Sequence, residues 1–203
     1  MKLNLNTLIL LLTALLLGGG VYLFEQQQAP QQTAADQEEA GTPIFAFKED
    51  QVQSFTVKKS SQILAFQRTK RSFPHTWWMH SPKQAPANEA SIAYLLNLLA
   101  TGRSDRTLTI PATQRREFGL AQPMATIEVK LNDQQSHRLV LGKPNFNQSA
   151  LYAQVDPPAQ ASENLEVLLV PTAFEEAVNR PLSEWQLQPS QERTNKPASP
   201  DIN

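Results

Sequence analysis

The sequence feature that most constrains this chain is an uncharged, apolar stretch at its N-terminus. Residues 3–24 (LNLNTLILLLTALLLGGGVYLF) contain no charged side chain. As a helix, such a stretch spans about 30 Å at about 1.5 Å per residue, which matches the hydrocarbon core of a bilayer. The sequence therefore predicts a transmembrane anchor over residues 1–24, in contact with the lipid bilayer through residues 3–24.

The charges on either side of this stretch predict its orientation. Lys2 precedes it, and the acids that follow it before the first cation, Lys48, are Glu25, Asp36, Glu38 and Glu39. Because basic residues resist translocation, we expect a cytoplasmic N-terminus and an extracytoplasmic domain. The alternative is a cleaved signal peptide with Leu8–Leu17 as its apolar core and Gly18–Gly20 at the cleavage site. Both alternatives export the domain, but the apolar run continues to Phe24 and favours the anchor.

Composition divides the exported part into three regions. Residues 25–43 are polar and Gln-rich, with too little apolar surface to offset the entropy of ordering, so they predict a flexible linker. Residues 186–203 have the same character and predict a disordered tail. Between them, residues 44–185 are long enough to form one self-supporting domain.

Alternating apolar and polar residues predict seven strands in this domain. These strands are Val52–Val57, Ile63–Phe66, Trp77–Met79, Ala125–Leu131, Leu139–Leu141, Leu151–Val155 and Leu165–Val170. Two helices interrupt and close the series, which favours an α+β fold with a mostly antiparallel sheet in two β-rich halves, each followed by a helix.

Local signals mark the ends of the helical segments. Asn88 is a suitable N-cap for a helix with Ile92, Leu95, Leu96 and Leu99 on one face, and Gly102 is expected to end it in a left-handed conformation. A short helical turn at 111–118 is expected to stop at Gly119. The last helix is expected to open with a capping box at Thr172–Glu175 and to end before Pro181.

The composition and the motifs argue against catalysis. The chain has 18 basic and 19 acidic residues, a balance that argues against nucleic-acid binding, and no cysteine, which excludes disulfides and thiolate chemistry. His75 and His80 lie five residues apart in a predicted strand and so point to opposite faces, and His137 is expected to be solvated. We expect no enzyme activity, cofactor or metal site. A hydrolase assembled from scattered Ser, His and Asp residues is the least favoured alternative.

The acidic residues of the domain are expected to lie in turns or on polar strand faces with ordinary pKa values. They are Asp105, Glu117, Glu128, Asp133 and Asp156. Glu128 alternates with apolar neighbours and is therefore expected to face away from the core. This pattern predicts solubility rather than acid–base chemistry.

The candidate binding residues are Trp77, Trp78, Arg103 and Arg106. Adjacent strand residues point to opposite faces, so one Trp is expected in the core and the other toward solvent, a ligand or a partner. Trp side chains are frequent anchors of interfaces. Trp stacking beside Arg103 or Arg106 is the arrangement expected for a small ligand such as a glycan or lipid head group.

Several short motifs together resemble a bacterial family known as "domain of unknown function 4340" (DUF4340). They are Trp77–Pro82 (WWMHSP), Ala87 with the helix after it, Phe118-Gly119-Leu120 with Pro123, Leu139–Gly142, and Tyr152. Phe118 departs from the family, which commonly has Tyr there. The resemblance implies an exported domain behind one N-terminal helix in a bacterial inner or thylakoid-type membrane. It implies no established activity, and an accessory role at a membrane or ABC-type transport complex.

Two functions from different classes therefore stand as hypotheses. The leading one is a membrane-anchored module that docks onto a membrane or extracytoplasmic protein partner. The alternative is a binding domain for a small ligand, for which a deep pocket with converging polar groups would be expected.

Overall fold

The computed structural model describes residues 41–69, 76–158 and 162–188. The predicted anchor, the linker up to residue 40, His75 and the tail beyond residue 188 lie outside the described residues. In the ranges that are described, no helix is both long and apolar enough to cross a bilayer.

Nine strands form one antiparallel sheet. In chain order they are β2 (Val52–Lys58), β3 (Ile63–Arg68), β4 (Trp77–Ser81), β5 (Ala85–Pro86), β7 (Arg106–Pro111), β8 (Ala125–Leu131), β9 (Ser136–Pro144), β10 (Ala150–Val155) and β11 (Asn164–Pro171). Their order in the sheet is β5-β4-β3-β2-β8-β9-β10-β11-β7. A separate two-stranded pair joins β1 (Thr42–Pro43) to β6 (Arg103–Ser104). The seven predicted strands are confirmed.

The order strands, helix, strands, helix is also confirmed, but both predicted halves belong to the same sheet. The two halves join where β2 pairs with β8 in antiparallel orientation, with Phe55 opposite Val129 and Val57 opposite Ile127. Buried apolar side chains on both strands make a continuous sheet more favourable than two separate exposed edges.

The helices are α1 (Glu89–Thr101), α2 (Ala173–Asn179) and α3 (Leu182–Trp185), with 3₁₀ helices at Glu49–Gln51 and Ala112–Arg116. The Asn88 cap is confirmed, because its Oδ1 accepts hydrogen bonds from the backbone N–H groups of Ala90 (3.0 Å) and Ser91 (3.4 Å). The turn after the second 3₁₀ helix is confirmed too, with Gly119 at φ 73°.

Two details of the helix ends were predicted wrongly. Gly102 has φ −60° and ψ 143°, so it is not left-handed. Glycine is needed there for close approach, since a Cβ atom would overlap the carbonyl oxygen of Leu98. Thr172 is in the helical region and its side chain makes no cap hydrogen bond, so the expected capping box is absent at this helix start. The backbone carbonyl of Thr172 instead accepts from Glu175 N at 2.8 Å.

The main core lies on one face of the sheet, which we call the inner face. The buried side chains of α1, Ile92, Leu95, Leu96 and Leu99, pack there with Phe174 of α2, Trp185 of α3 and the inward residues of the strands. The predicted amphipathic face of α1 thus supplies a large share of the buried apolar surface.

A smaller core lies on the opposite, outer face, over only part of the sheet. Ile110, Val140, Leu165 and Val167 are buried there together with Leu120, which comes from the segment after the second 3₁₀ helix. This segment covers strands β9, β11 and β7. None of the described elements forms a comparable apolar cluster over the outer face of β3, β2 and β8.

The ordered domain extends slightly beyond the predicted boundaries of residues 44 and 185. Thr42 and Pro43, expected in the linker, pair with Ser104 and Arg103. Gln186 bridges to Ala87, and Leu187 N donates to the Pro86 carbonyl at 3.0 Å. Backbone pairing requires no apolar side chain, so composition did not reveal these residues.

Candidate functional site

The outer face of β4, β3, β2, β8 and the start of β9 forms a polar surface that we call the open face. One row of directly opposed residues crosses it from strand to strand. In order, the residues of this row are Trp78, Gln67, Ser54, Lys130 and Ser136. An aromatic side chain therefore lies at one end of the row and a lysine toward the other, with small or flat polar groups between them.

The neighbouring row carries an ion-pair bridge. Thr56 lies opposite Glu128, and Glu128 lies opposite Arg138. The Glu128 carboxylate accepts from Lys58 Nζ at 2.8 Å and pairs with an Arg138 guanidinium nitrogen at 3.2 Å. Glu128 faces away from the core, as predicted, but it is bound between two cations rather than simply solvated.

This bridge changes the protonation of Glu128, contrary to the expectation of an ordinary pKa. The hydrogen bond from Lys58 lowers the pKa of Glu128, and the positive charges of Lys58 and Arg138 add to that effect. Partial burial acts in the opposite direction, because it disfavours the charged form. The net result is a carboxylate that holds its charge more firmly than a free glutamate.

Two adjoining grooves follow the bridge across the open face. The first, of about 570 Å³, lies over Ser54, Thr56, Lys130 and Asp156. The second, of about 530 Å³, lies between the bridge and the loop that contains Arg115 and Leu120. Glu128 and Arg138 line both grooves. The bridge is thus the floor of one continuous shallow surface.

One polar atom of the first groove lacks a protein partner. The hydroxyl oxygen of Thr56 is buried and makes no hydrogen bond with any described residue. A buried hydroxyl without a partner costs free energy, and Thr56 lines the first groove.

Cations outnumber acids around the two grooves. Lys58, Lys130, Arg138 and Arg115 line them, against Glu128 and Asp156. Part of the positive charge is neutralised within the bridge, but Lys130 is exposed and the Arg138 side chain is 52% exposed. The surface therefore favours ligands with carboxylate or other anionic groups.

The structure separates the roles of the two tryptophans, as the alternation of strand residues predicted. Trp77 is buried in the inner core against Phe55, at 5.4 Å between ring centroids. Trp78 is half-buried on the outer face, opposite Gln67 and Pro86. Trp78 is therefore the one available for contact with a partner.

The structure does not bring the candidate arginines to the tryptophans. Arg106 begins β7 and Arg103 belongs to β6, whereas the tryptophans belong to β4. Six strands (β3, β2, β8, β9, β10 and β11) lie between β4 and β7 in the sheet order. The cation that does contact Trp77 is Arg68, whose guanidinium carbon lies 4.8 Å from the ring centroid. The expected Trp stacking beside Arg103 or Arg106 is not formed.

His137 departs from the expectation of a solvated side chain. Its Nδ1 lies 2.8 Å from Asp156 Oδ2, and its ring packs against Phe45 and Phe47 at centroid distances of 5.3 and 5.5 Å. Only 24% of the side chain is exposed. The geometry is that of an imidazole paired with a carboxylate and packed against two phenyl rings. No serine hydroxyl bonds to His137 among the described residues, and no three potential ligands cluster there for a metal ion.

Comparison with known proteins yields one family match. The model of the family described as "Domain of unknown function (DUF4340)" matches residues 77–188, which is more than half of the chain. The matched range runs from Trp77 to Gln188, the last described residue, and includes Glu128 and Arg138. No curated protein and no solved structure matches.

Proposed function

The chain belongs to the DUF4340 family of domains of unknown function, and on that premise we propose that it is a membrane-anchored, extracytoplasmic interaction module without catalytic activity. In this proposal, residues 1–24 hold it in the membrane as a single-pass anchor. The open face binds a protein partner, which makes the chain an accessory component of a membrane protein complex.

The observation that carries this proposal is the organisation of the open face. A sheet face without covering elements normally carries scattered polar residues. Here Trp78 and Lys130 lie in one cross-strand row, and Glu128 and Arg138 lie in the adjacent row. Lys58 contacts Glu128 from the row beyond, and the Thr56 hydroxyl below lacks a partner. Such a combination of one aromatic group, fixed charges and unmet hydrogen-bonding capacity is typical of a docking surface.

The chemistry of the surface selects the kind of partner. The excess of cations favours a protein segment that carries carboxylates, placed to meet Lys130 and Arg138. At the other end of the row, Trp78 favours an apolar side chain or a methylene stem. The surface is shallow, so we expect modest intrinsic affinity. A tether to the same membrane as the partner would compensate by raising the effective concentration.

Site-specific photo-crosslinking in native membranes tests the proposal. A photoreactive amino acid replaces Gln67, which is exposed in the middle of the tryptophan row. The expected result is crosslinking to one discrete membrane or extracytoplasmic protein. The same amino acid at Glu176, exposed on α2, serves as the matched control and is expected to give no such product.

Substitutions at the two ends of the row test whether the crosslink depends on the open face. The Lys130→Glu and Trp78→Ala variants are each expected to reduce the crosslink, because each removes one end of the docking row. Lys48→Glu reverses an exposed cation outside that row and is expected to leave the crosslink unchanged. Equal crosslinking from both positions, or a product insensitive to Lys130→Glu and Trp78→Ala, would contradict docking on the open face.

A further inference from the structure

Two large hydrophobic side chains are conspicuously exposed among the described residues, and they lie at the same end of the sheet. Phe146 is fully exposed, and Ile63 is 50% exposed. Ile63 begins β3 directly after the β2–β3 turn, and Phe146 lies in the β9–β10 turn. Single exposed hydrophobic residues are ordinary on protein surfaces, so their shared location is the informative observation.

The strand registers show that several turns share this end. Ile63 lies opposite Lys58 at the end of β2. Ala150, the first residue of β10, lies opposite Pro171 at the end of β11, and Leu169 lies opposite Arg106 at the start of β7. Because neighbouring strands are antiparallel, the β2–β3 turn, the β9–β10 turn and the entry to β7 all lie at one end of the sheet.

The turn that presents Phe146 is held by a local hydrogen-bond network. Asn145 Oδ1 accepts from the backbone N–H groups of Ser149 at 2.9 Å and Ala150 at 3.2 Å, and Asn145 N donates to the Ala150 carbonyl at 2.8 Å. Ser149 Oγ donates to Asn147 Oδ1 at 2.8 Å. The network closes the turn beneath Phe146 and leaves its phenyl ring in solvent.

Positive charge predominates at this end, which we call the basic end. Its cations are Lys58, Lys59, Lys83, Arg103, Arg106 and Lys143. Acids at this end include Asp105, Glu175 and Glu176, together with Glu117, which precedes the Phe118 carbonyl that accepts from Lys143 N. Lys58 is shared with Glu128, and Lys59 donates to Val178 O and Asn179 Oδ1 at 3.2 Å. Lys83 and Lys143 are exposed and belong to two different turns.

The chain also enters the domain at the basic end. Thr42 and Pro43 pair with Ser104 and Arg103, which immediately precede β7. Thr42 and Pro43 therefore lie beside the start of β7, on the same end as Phe146 and Ile63.

From these three coincident features we propose that the basic end is a membrane-contact surface for anionic lipid. The Phe146 and Ile63 side chains would rest at the boundary between headgroups and acyl chains, and the surrounding cations would lie against anionic headgroups. This inference rests on the proposed membrane location of the chain. It assigns the rest of the open face, which adjoins the basic end at Lys58, to the protein partner.

The absence of cysteine makes a direct test practicable. In the full chain, Phe146→Cys introduces a single thiol for an environment-sensitive fluorophore, and Asp133→Cys does the same in the exposed β8–β9 turn at the opposite end. The labelled chains are mixed with phosphatidylcholine vesicles with and without phosphatidylglycerol. Quenching by lipids that carry a spin label in the acyl chain then reports the depth of each fluorophore.

The expected result is several-fold greater quenching at position 146 than at position 133, strengthened by phosphatidylglycerol. Combining Phe146→Cys with Lys83→Glu and Lys143→Glu is expected to abolish the phosphatidylglycerol dependence, whereas Lys48→Glu with Lys130→Glu is expected to preserve it. Equal quenching at both positions on anionic vesicles would overturn the proposal. Sedimentation with vesicles at high salt tests the anchor separately, because an anchored chain stays on the vesicles when salt screens its charges. If the chain no longer sediments with vesicles at high salt but the fluorophore at position 146 is still quenched at low salt, the anchor is contradicted and the basic end is supported.

Discussion

A Cβ atom on Gly142 would overlap the carbonyl oxygen of Phe118. The same carbonyl accepts a hydrogen bond from Lys143 N at 3.2 Å, so the loop after the second 3₁₀ helix lies directly on β9. Leu120 is buried beneath this contact and Phe118 packs edge-to-face on Tyr152, with 4.7 Å between ring centroids. The small outer core therefore depends on the absence of a side chain at Gly142.

We expect Gly142→Ala to lower the free energy of unfolding by about 1 to 3 kcal/mol, because the added methyl group meets backbone atoms that cannot rotate away. Urea denaturation followed by circular dichroism measures this change. Ala121→Ser, an exposed substitution in the covering loop, is the matched control and is expected to change stability by less than about 0.5 kcal/mol. Equal stabilities of Gly142→Ala and the native chain would contradict the close contact.

The two adjacent tryptophans provide a second matched pair. Trp77→Ala is expected to cost about 3 to 5 kcal/mol, because it empties a buried site between Phe55 and Arg68. Trp78→Ala is expected to cost about 1 kcal/mol, since its ring is half-buried on the outer face. Thermal unfolding of both variants gives the comparison. A larger loss for Trp78→Ala would reverse the assignment of core and surface.

The ion-pair bridge predicts a pH-dependent contribution to stability. The lowered pKa of Glu128 means that the folded state favours its charged form. This contribution to stability is complete above the ordinary pKa of glutamate. It disappears as the pH falls through the lowered pKa that Glu128 has in the folded state. Because Glu128 is 33% exposed and its partners are more so, we expect Glu128→Gln to cost only about 0.5 to 1 kcal/mol at neutral pH.

Urea denaturation of the native chain and Glu128→Gln across acid and neutral pH measures this effect. The difference between the two is expected to shrink toward acid pH, because protonation removes the same charge in the native chain. Glu166→Gln, a substitution on β11 for which the structure records no ion pair, serves as the control. A difference that grows toward acid pH would contradict the sign of the shift.

The helix cap at Asn88 gives a fourth test. Asn88→Ala is expected to cost about 1 kcal/mol, because the N–H groups of Ala90 and Ser91 lose their acceptor. Asn88→Ser is expected to restore most of this loss, since serine is an equally good N-cap residue. Equal destabilisation by both substitutions would indicate that the side chain contributes through packing rather than through the cap.

The elements that sequence analysis located correctly carry local signals. Asn88 and the Ile92–Leu99 spacing define α1 within a few residues, and Asn132-Asp133 marks the turn between β8 and β9. Sequence analysis did not predict strand β7, although its Leu108 and Ile110 alternate with threonines. The two-residue strands β1, β5 and β6 are too short to show any period.

The candidate site depends on register, which local signals did not determine. A two-residue turn at Asn132-Asp133 would place His137 opposite Glu128. Gln134 instead adopts φ 73° within a longer turn, which shifts the register by one residue and places Arg138 opposite Glu128. The other partner, Lys58, lies on β2, about half the domain earlier in the sequence than Glu128. It contacts Glu128 only because β2 pairs with β8. Sequence patterns alone therefore could not predict the ion-pair bridge.

The way the chain joins its domain has a mechanical consequence. The first described strand is a two-residue ladder, Thr42–Pro43 against Arg103–Ser104, followed by the hydrogen bond from Ile44 N to Gly102 O at 3.0 Å. A pull transmitted from the preceding residues would load these few bonds one after another and spare the nine-stranded sheet. Continued pulling would draw Phe45 and Phe47 out of the main core and uncover His137, so apolar surface would be exposed while the nine strands remained paired.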